Sequence, residues 1–386
     1  MRSRWMVIAV WLAALALGAA PIPASGPALR AQAPISLMDM LAQVPDSPVA
    51  RSVIWYGALG DLERALGVAV DSREAIDQLA PANRIAYLFE IGRQVYYSAF
   101  SGMENAPDWA NTFAVNSFGI ERELTIGAGL PDQYAVLQGA FAPDAISAAL
   151  EGLGYQSTPI GGVPVFSLGA DDSADPGNPA QALAGSRYNR LFVTPGQIIA
   201  APSSRLMEMA LATGRRIIDD PAYNALVMAL SDPDVAPGSP LISAALFEGG
   251  YLNQIAREAA RSLPAEQADQ IGLDLPLPPY LTAGLGYRRD AQDRHIVIAL
   301  TYGDEGLARL AADTLVQRMG RYLSIGGGAG DPPRQPFYGW RFTPQIIPVA
   351  DGRLHVLTLT AMIPPQTDVA WVELAAAGDV GFLAAD

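Results

Sequence analysis

The sequence contains no cysteine, no lysine and only two histidines among its 386 residues. Without cysteine there are no disulfides, thiol nucleophiles, thiolate-bound zinc sites or iron–sulfur clusters. Without lysine there is no Schiff-base chemistry, including pyridoxal-type catalysis, and no lysine for a phosphate-binding P-loop. These absences remove several classes of enzyme, and we predict no cofactor.

Positive charge is also scarce, because every fixed cation is an arginine. The 25 basic residues face 39 acidic ones, which gives a formal net charge of −14. Such an acidic surface repels polyanions, so we expect no nucleic-acid partner. Half of the residues are hydrophobic and 17% are charged, which supplies enough apolar material for a large buried core.

The N-terminal region has the pattern of an export signal. Arginines at positions 2 and 4 precede an uncharged apolar run over residues 6–20. This run is shorter than the ~20 apolar residues of a membrane-spanning helix, and a proline-rich polar stretch follows it. We predict that residues 1–33 are a signal peptide, or an anchor plus linker if they stay uncleaved. The protein is then extracytoplasmic, either secreted or held at the cytoplasmic membrane through residues 6–20 alone.

Strand-like stretches followed by helix-like stretches recur along the chain. Turn signals separate paired strands at Gly129–Asp132, Asp290–Asp293 and Asp351–Gly352, and a fourth pair turns at Pro195–Gly196. These units predict an α+β protein that follows an N-terminal signal helix. In it, divergent repeats of a β-hairpin plus a helix form one or more antiparallel sheets, with the helices packed on one face.

The helix after the Asp290–Asp293 hairpin shows how such helices are expected to pack. Its apolar residues recur at helical spacing, which predicts a single buried stripe. The predicted stripe comprises Leu307, Leu310, Ala311, Leu315 and Met319.

A proline-, glycine- and aspartate-rich stretch at 231–240 is the best candidate for a domain boundary. We predict α+β domains at 37–232 and 240–386, the second with two hairpin–helix units. Residues 72–112 are predicted to be a helical insertion in the first domain. One continuous sheet that crosses the boundary is the alternative arrangement.

The two histidines, His295 and His355, occupy matching places at the starts of two predicted strands. If a pseudo-twofold axis relates their units, the two imidazoles approach each other and form a weak metal-site candidate. No HExxH spacing supplies further ligands, so we predict no metal and interpret both as strand-end residues.

Clustered carboxylates at Asp171, Asp172 and Asp175 form a second weak metal candidate, with calcium as the suitable ion. Their spacing departs from that of an EF-hand, and Pro176 stands where a glycine is needed. An acidic surface loop is the simpler interpretation.

A charged triplet, Glu121, Arg122 and Glu123, lies within a predicted strand. Strand alternation places both glutamates on one face and Arg122 among apolar neighbours, where its guanidinium needs a carboxylate partner. Two carboxylates on one face do acid–base chemistry only if their surroundings shift their pKa values. A solvated sheet face is the simpler interpretation.

Aromatic residues supply the remaining candidates for a ligand or partner surface: Trp55, Tyr56, Tyr96, Tyr97 and Trp340, together with Arg122. Large aromatic side chains line pockets and interfaces, although core packing is their commoner role.

No histidine, cysteine, lysine or serine constellation is arranged for catalysis. The leading hypothesis is therefore an exported bacterial protein with a non-catalytic binding or scaffold role outside the cytoplasmic membrane. One alternative is a carrier of an apolar small molecule or lipid, and another is a carboxylate-based extracytoplasmic hydrolase. The expected partner is an unidentified extracytoplasmic protein or a small apolar ligand.

Overall fold

The computed structural model describes residues 36–96, 106–261, 275–322, 335–349, 351–364 and 371–385. The predicted signal segment at 1–33 lies outside these residues. Among the helices that are described, none combines the length and apolar character needed to cross a membrane.

Within the described chain, one sheet of twelve antiparallel strands organises the molecule. Its order from edge to edge is β11-β12-β10-β9-β8-β1-β2-β3-β7-β6-β5-β4. The strands are β1 (Val53–Gly57), β2 (Ile120–Ile126), β3 (Tyr134–Gly139), β4 (Gln156–Ile160), β5 (Val163–Ser167), β6 (Arg190–Val193), β7 (Gln197–Ala201), β8 (Leu241–Glu248), β9 (Thr282–Arg289), β10 (Arg294–Tyr302), β11 (Thr343–Val349) and β12 (Leu354–Met362).

Helices connect most of these strands, and several begin with a proline, whose missing N–H costs no hydrogen bond in the first turn. The helices are α1 (Leu37–Leu41), α2 (Pro48–Ser52), α3 (Leu59–Leu66), α4 (Arg73–Gln78), α5 (Pro81–Arg93), α6 (Ala106–Phe113), α7 (Pro143–Gly152), α8 (Pro179–Ala184), α9 (Ser204–Leu211), α10 (Pro221–Ser231), α11 (Gly249–Arg261), α12 (Glu305–Arg321) and α13 (Trp371–Ala376).

The predicted hairpins are present, and the chemistry of their turns explains them. Between β9 and β10, the Asp290 carboxylate accepts hydrogen bonds from the backbone N–H groups of Gln292 and Asp293, both at 2.7 Å. Between β11 and β12, Asp351 and Gly352 both have positive φ, 58° and 78°. Glycine adopts positive φ without steric cost and aspartate tolerates it, so these residue types suit the turn.

Helices cover both faces of the sheet, so the prediction of helices on one face is wrong. On β9, Leu285 points into the core that contains Leu315 of α12. The next residue, Gly286, points the other way, and a Cβ there would lie 3.2 Å from Leu230 of α10. Because side chains alternate along a strand, α12 and α10 lie on opposite faces. We call these the α12 face and the α10 face.

The buried stripe of α12 also differs from the prediction. Leu307 and Leu310 are 41% and 47% exposed, and alanines take their place against the sheet. Small side chains let the helix axis approach the strands closely, which a periodicity count based on leucine does not detect. The residues that α12 buries in the core of its face include Ala308, Ala311, Ala312, Leu315 and Met319.

The sheet continues across the domain boundary predicted near residues 231–240. Strand β1, from the first predicted domain, pairs in antiparallel register with β8, from the second. Trp55 of β1 shares a core cluster with Leu300 of β10. Strands of both predicted domains therefore belong to one sheet.

The two edge strands carry prolines. Pro159 lies in β4 at one edge, and Pro344 and Pro348 lie in β11 at the other, where most side chains are exposed or half-buried. Proline has no N–H to offer a further strand, so these residues limit edge-to-edge association of the sheet.

Candidate functional site

The predicted aromatic residues do not converge on one place. Trp55 stacks on Tyr96 on the α12 face, with ring centroids 4.6 Å apart. Tyr56, the next residue on the same strand, points to the α10 face and is 2% exposed. Trp340 packs against Phe337, and Tyr97 lies outside the described residues.

Arg122 is buried and has the carboxylate partner that its apolar surroundings require. Its Nη2 donates to Asp61 of α3 at 2.8 Å, and Nη1 lies 3.5 Å from Glu121. Burial raises the pKa of Tyr56, and the hydrogen bond from Arg122 to its oxygen opposes that rise. These contacts give Arg122 a structural role, in which it joins α3 to the sheet.

Glu121 and Glu123 do not share a solvated face. The register between β2 and β3 shifts between Ile120 and Arg122, which marks a β-bulge. A bulge inserts one extra residue and resets the alternation of side chains. Glu121 is exposed, whereas Glu123 is 1% exposed and accepts a hydrogen bond from Thr125 at 2.9 Å. The pair therefore cannot act together on one substrate.

The two histidines lie far apart. In the antiparallel pair of β10 and β12, His295 is opposite Met362 and His355 is opposite Tyr302. Seven residues of strand separate these positions, which corresponds to about 23 Å at the usual rise per residue. Burial lowers the pKa of His295. The imidazoles do not form a joint metal site.

The acidic loop is held by protein groups. Asp171 accepts hydrogen bonds from the Arg190 guanidinium at 2.6 Å and from the backbone N–H of Ser204 at 2.9 Å. Asp175 accepts from the N–H of Gly177, and Asp172 takes a positive φ of 58° in the turn. Among the described residues, no group of three or more carboxylates or histidines has metal-binding geometry.

A cleft opens on the α10 face of the sheet. Its volume is about 270 Å³, just below the usual range of small-molecule sites. Its floor is a row of three side chains on adjacent strands: Val136 of β3, Ile199 of β7 and Phe192 of β6. The floor is therefore apolar.

Two chain segments form the outer wall of the cleft. Residues 42–45 follow α1, and residues 210–216 comprise the C-terminal end of α9 and the loop after it. The segments are joined by an isolated antiparallel bridge between Pro45 and Arg216. At the floor, Gln197 donates a hydrogen bond to Gln43 at 2.7 Å. The cleft thus combines a rigid sheet floor with a wall of short, hydrogen-bonded segments.

Two polar groups in the cleft retain unused hydrogen-bonding capacity. Tyr134 is 2% exposed, and its hydroxyl has no partner among the described residues. Burial raises the pKa of Tyr134 well above its usual value, so the phenol stays neutral and able to donate. Nη1 of Arg216 donates hydrogen bonds to the carbonyl oxygens of Gln43 and Ala212, both at 3.0 Å. Its Nε and Nη2 donate to no group in the described chain.

The ionisable side chains that line the described part of the cleft are those of Tyr134 and Arg216. The described lining residues include neither aspartate, glutamate nor histidine. A hydrolase based on carboxylates needs two of them at one bond, with one in an apolar setting. Small-molecule sites usually combine apolar side chains with a few polar groups.

Sequence reasoning did not find this cleft. Its lining comes from five separated stretches of the chain, and no local motif connects them. The one available signal was Tyr134 itself, because a tyrosine at a buried strand position needs a partner for its hydroxyl.

Comparisons with known proteins assign no family. No protein-family model and no curated protein sequence matches the chain. Among solved structures, TP0453 in its crystal forms I and III is similar at 8% sequence identity, with TM-scores of 0.38 and 0.35. The similarity covers 88% and 87% of this chain and 97% of each TP0453 chain. A similarity at this level carries no inference about function.

Proposed function

We propose that this chain is an exported, non-catalytic binding protein that holds a small apolar molecule in the cleft on the α10 face. The observation that carries the proposal is the unpartnered hydroxyl of Tyr134 beside an apolar floor. A buried hydroxyl without a partner costs roughly 1–3 kcal/mol. A bound molecule that offers an acceptor atom to this hydroxyl removes the cost.

The shape and composition of the cleft support the same proposal. Val136, Ile199 and Phe192 offer apolar contact area, while Tyr134 and Arg216 supply the few polar groups that orient a ligand. The floor belongs to strands in the interior of the sheet, so it is positioned before any ligand arrives. A preformed site loses less conformational entropy on binding.

The place of action is part of the proposal. The charge and hydropathy pattern of residues 1–33 supports export, and the absence of cysteine is compatible with an oxidising compartment. The protein acts outside the cytoplasmic membrane, with no nucleic-acid partner.

A blocking substitution at the rim tests the proposal. Ala212 lines the cleft and is exposed, so Ala212→Trp obstructs the entrance without disturbing the core. The probe is 1-naphthalenemethanol, a neutral bicyclic alcohol, and binding is measured by isothermal titration calorimetry. We expect the wild-type protein to bind the probe and Ala212→Trp to lose at least about 10-fold in affinity.

Thr213→Trp is the matched control. Thr213 is also exposed and is the next residue along the chain, but it does not line the cleft. The Thr213→Trp protein should bind the probe as tightly as the wild type does. Absence of binding to the wild type, or equal binding to all three proteins, contradicts the proposed site.

A further inference from the structure

The cationic group at the cleft, Arg216, has an unoccupied recognition edge. Arginine binds a carboxylate side-on through Nε and Nη2, which donate two parallel hydrogen bonds. In Arg216 these two atoms have no partner in the described chain, while Nη1 is held by the carbonyl oxygens of Gln43 and Ala212. The anchored Nη1 fixes the guanidinium plane and leaves the Nε–Nη2 edge available.

Another arginine of the same chain shows the geometry that this edge adopts with a carboxylate. Arg51 donates from Nε to one oxygen of Asp46 at 2.7 Å and from Nη2 to the other at 2.9 Å. Arg215, directly before Arg216, also has an acidic partner, since its Nε lies 3.2 Å from Asp46. Within the described residues, Arg216 has no such ion pair although its neighbours do.

Acidic residues are abundant in the chain, but none of them lines the described part of the cleft. With 39 acidic residues and a net charge of −14, carboxylates are abundant for pairing with arginines. The Arg216 guanidinium lies in the lining of a cleft that has an apolar floor and whose described residues include no acid. Tyr134 adds a second donor to the same cleft, with a hydroxyl that has no partner in the described chain.

From this arrangement we infer that the ligand is an apolar carboxylate, whose carboxylate binds the Nε–Nη2 edge of Arg216. Its apolar body lies on the floor of Val136, Ile199 and Phe192. This inference rests on the proposed function and adds the chemical class of the ligand. A flat aromatic acid and a short fatty acid share this chemistry, and the experiment distinguishes them.

Two matched pairs of probes test the inference. The first pair is 1-naphthoate and 1-naphthalenemethanol, and the second is octanoate and 1-octanol. In at least one pair we expect the carboxylate to bind roughly 10- to 100-fold more tightly than the alcohol, since a charge-assisted pair replaces a neutral one. The pair with the larger ratio identifies a ring or an acyl chain as the apolar body.

Arg216→Gln is the critical variant. It removes the charge and the Nε–Nη2 edge, so the variant should bind the carboxylate no more tightly than it binds the matching alcohol. The matched control is Arg215→Gln, which removes the adjacent exposed charge that does not line the cleft. It should keep the preference for the carboxylate.

The outcomes separate the two proposals. If alcohols bind as tightly as carboxylates in both pairs, the carboxylate inference fails and the proposed function stands. If no probe binds, the proposed function itself fails. A carboxylate preference that survives Arg216→Gln, or that disappears equally in Arg215→Gln, overturns the role of Arg216.

Discussion

Buried arginines hold loop ends in this chain, where they donate hydrogen bonds to backbone carbonyl groups. Arg318 donates to the carbonyl oxygens of Phe382 and Ala384 with Nη1 and to that of Leu275 with Nη2. Arg288 donates in the same way to the carbonyl oxygens of Ser239, Leu230 and Asp232. The planar guanidinium presents five donors in a fixed fork, which a lysine ammonium cannot reproduce. These clamps tie chain segments together in a protein without disulfides.

Replacement of Arg318 by lysine tests this role. Arg318→Lys keeps the charge but loses the fork, so some of the three buried carbonyl groups are left without a donor. We expect the free energy of unfolding to fall by about 2 kcal/mol, measured from urea denaturation midpoints.

The control for that substitution is Arg309→Lys. Arg309 is exposed and pairs with Glu305 one helical turn away, so the change should stay within about 0.5 kcal/mol. Equal effects of the two substitutions would show that the buried fork is unimportant for stability.

Tyr134 offers a second test at the residue scale, because its hydroxyl is buried without a partner in the described chain. Removing that hydroxyl in Tyr134→Phe abolishes an uncompensated desolvation cost. We expect the empty protein to become more stable by about 1 kcal/mol in urea denaturation, while ligand affinity falls.

Tyr155→Phe is the matched comparison. The Tyr155 hydroxyl is also buried but donates to the carbonyl oxygen of Tyr188 at 2.8 Å. Its removal should destabilise the protein by about 1 kcal/mol. A loss of stability in Tyr134→Phe as large as that in Tyr155→Phe contradicts the unpartnered hydroxyl.

At the scale of elements, the close approach of α10 to the sheet depends on glycine. A Cβ at Gly284 of β9 would lie 2.6 Å from Cδ1 of Leu230 and 3.2 Å from Cδ1 of Leu226. Both leucines are fully buried, so neither can move aside freely. We expect Gly284→Ala to lower the free energy of unfolding by about 1–3 kcal/mol, because overpacking forces the helix outward.

Gly320→Ala in α12 is the control, and we expect it to change the free energy of unfolding in the opposite direction. Gly320 is exposed, and a Cβ there would have no neighbour within 4 Å. Gly320→Ala should therefore stabilise the protein by about 0.5–1 kcal/mol through helix propensity. If both alanine substitutions change stability in the same direction, the close packing of α10 is not the cause.

The sequence allowed the hairpins to be predicted because turn chemistry is local. The Asp351–Gly352 turn and the Asp290–Asp293 turn are encoded by residues that adopt the required backbone angles or accept the required hydrogen bonds. The need of Arg122 for a carboxylate was also predictable, but its partner Asp61 is 61 positions away. Only the fold brings such residues together.

Other features could not be predicted from local patterns. The bulge near Glu121 leaves no mark in the strand pattern, yet it separates Glu121 from Glu123. Whether His295 and His355 lie close together depends on the register between their strands. The antiparallel pairing of β10 and β12 places the two histidines at opposite ends of the strand pair. The cleft requires five distant stretches of chain. In each case the missing information was long-range pairing.

At the scale of the whole molecule, one sheet with helices on both faces explains why the strands are so fully buried. Every residue of β1 and β9 is buried, which is typical of strands covered on both sides. The α+β class predicted from the hairpins is confirmed. The duplication of hairpin–helix units and the division into domains at 37–232 and 240–386 stay predictions.

Native mass spectrometry of the protein purified from producing cells without detergent tests the central claim most directly. We predict that the wild type and Thr213→Trp carry a bound small molecule as a discrete mass increment, and that Ala212→Trp lacks it. Identical spectra for all three proteins, with or without an increment, would contradict the account of the cleft on the α10 face as a ligand site.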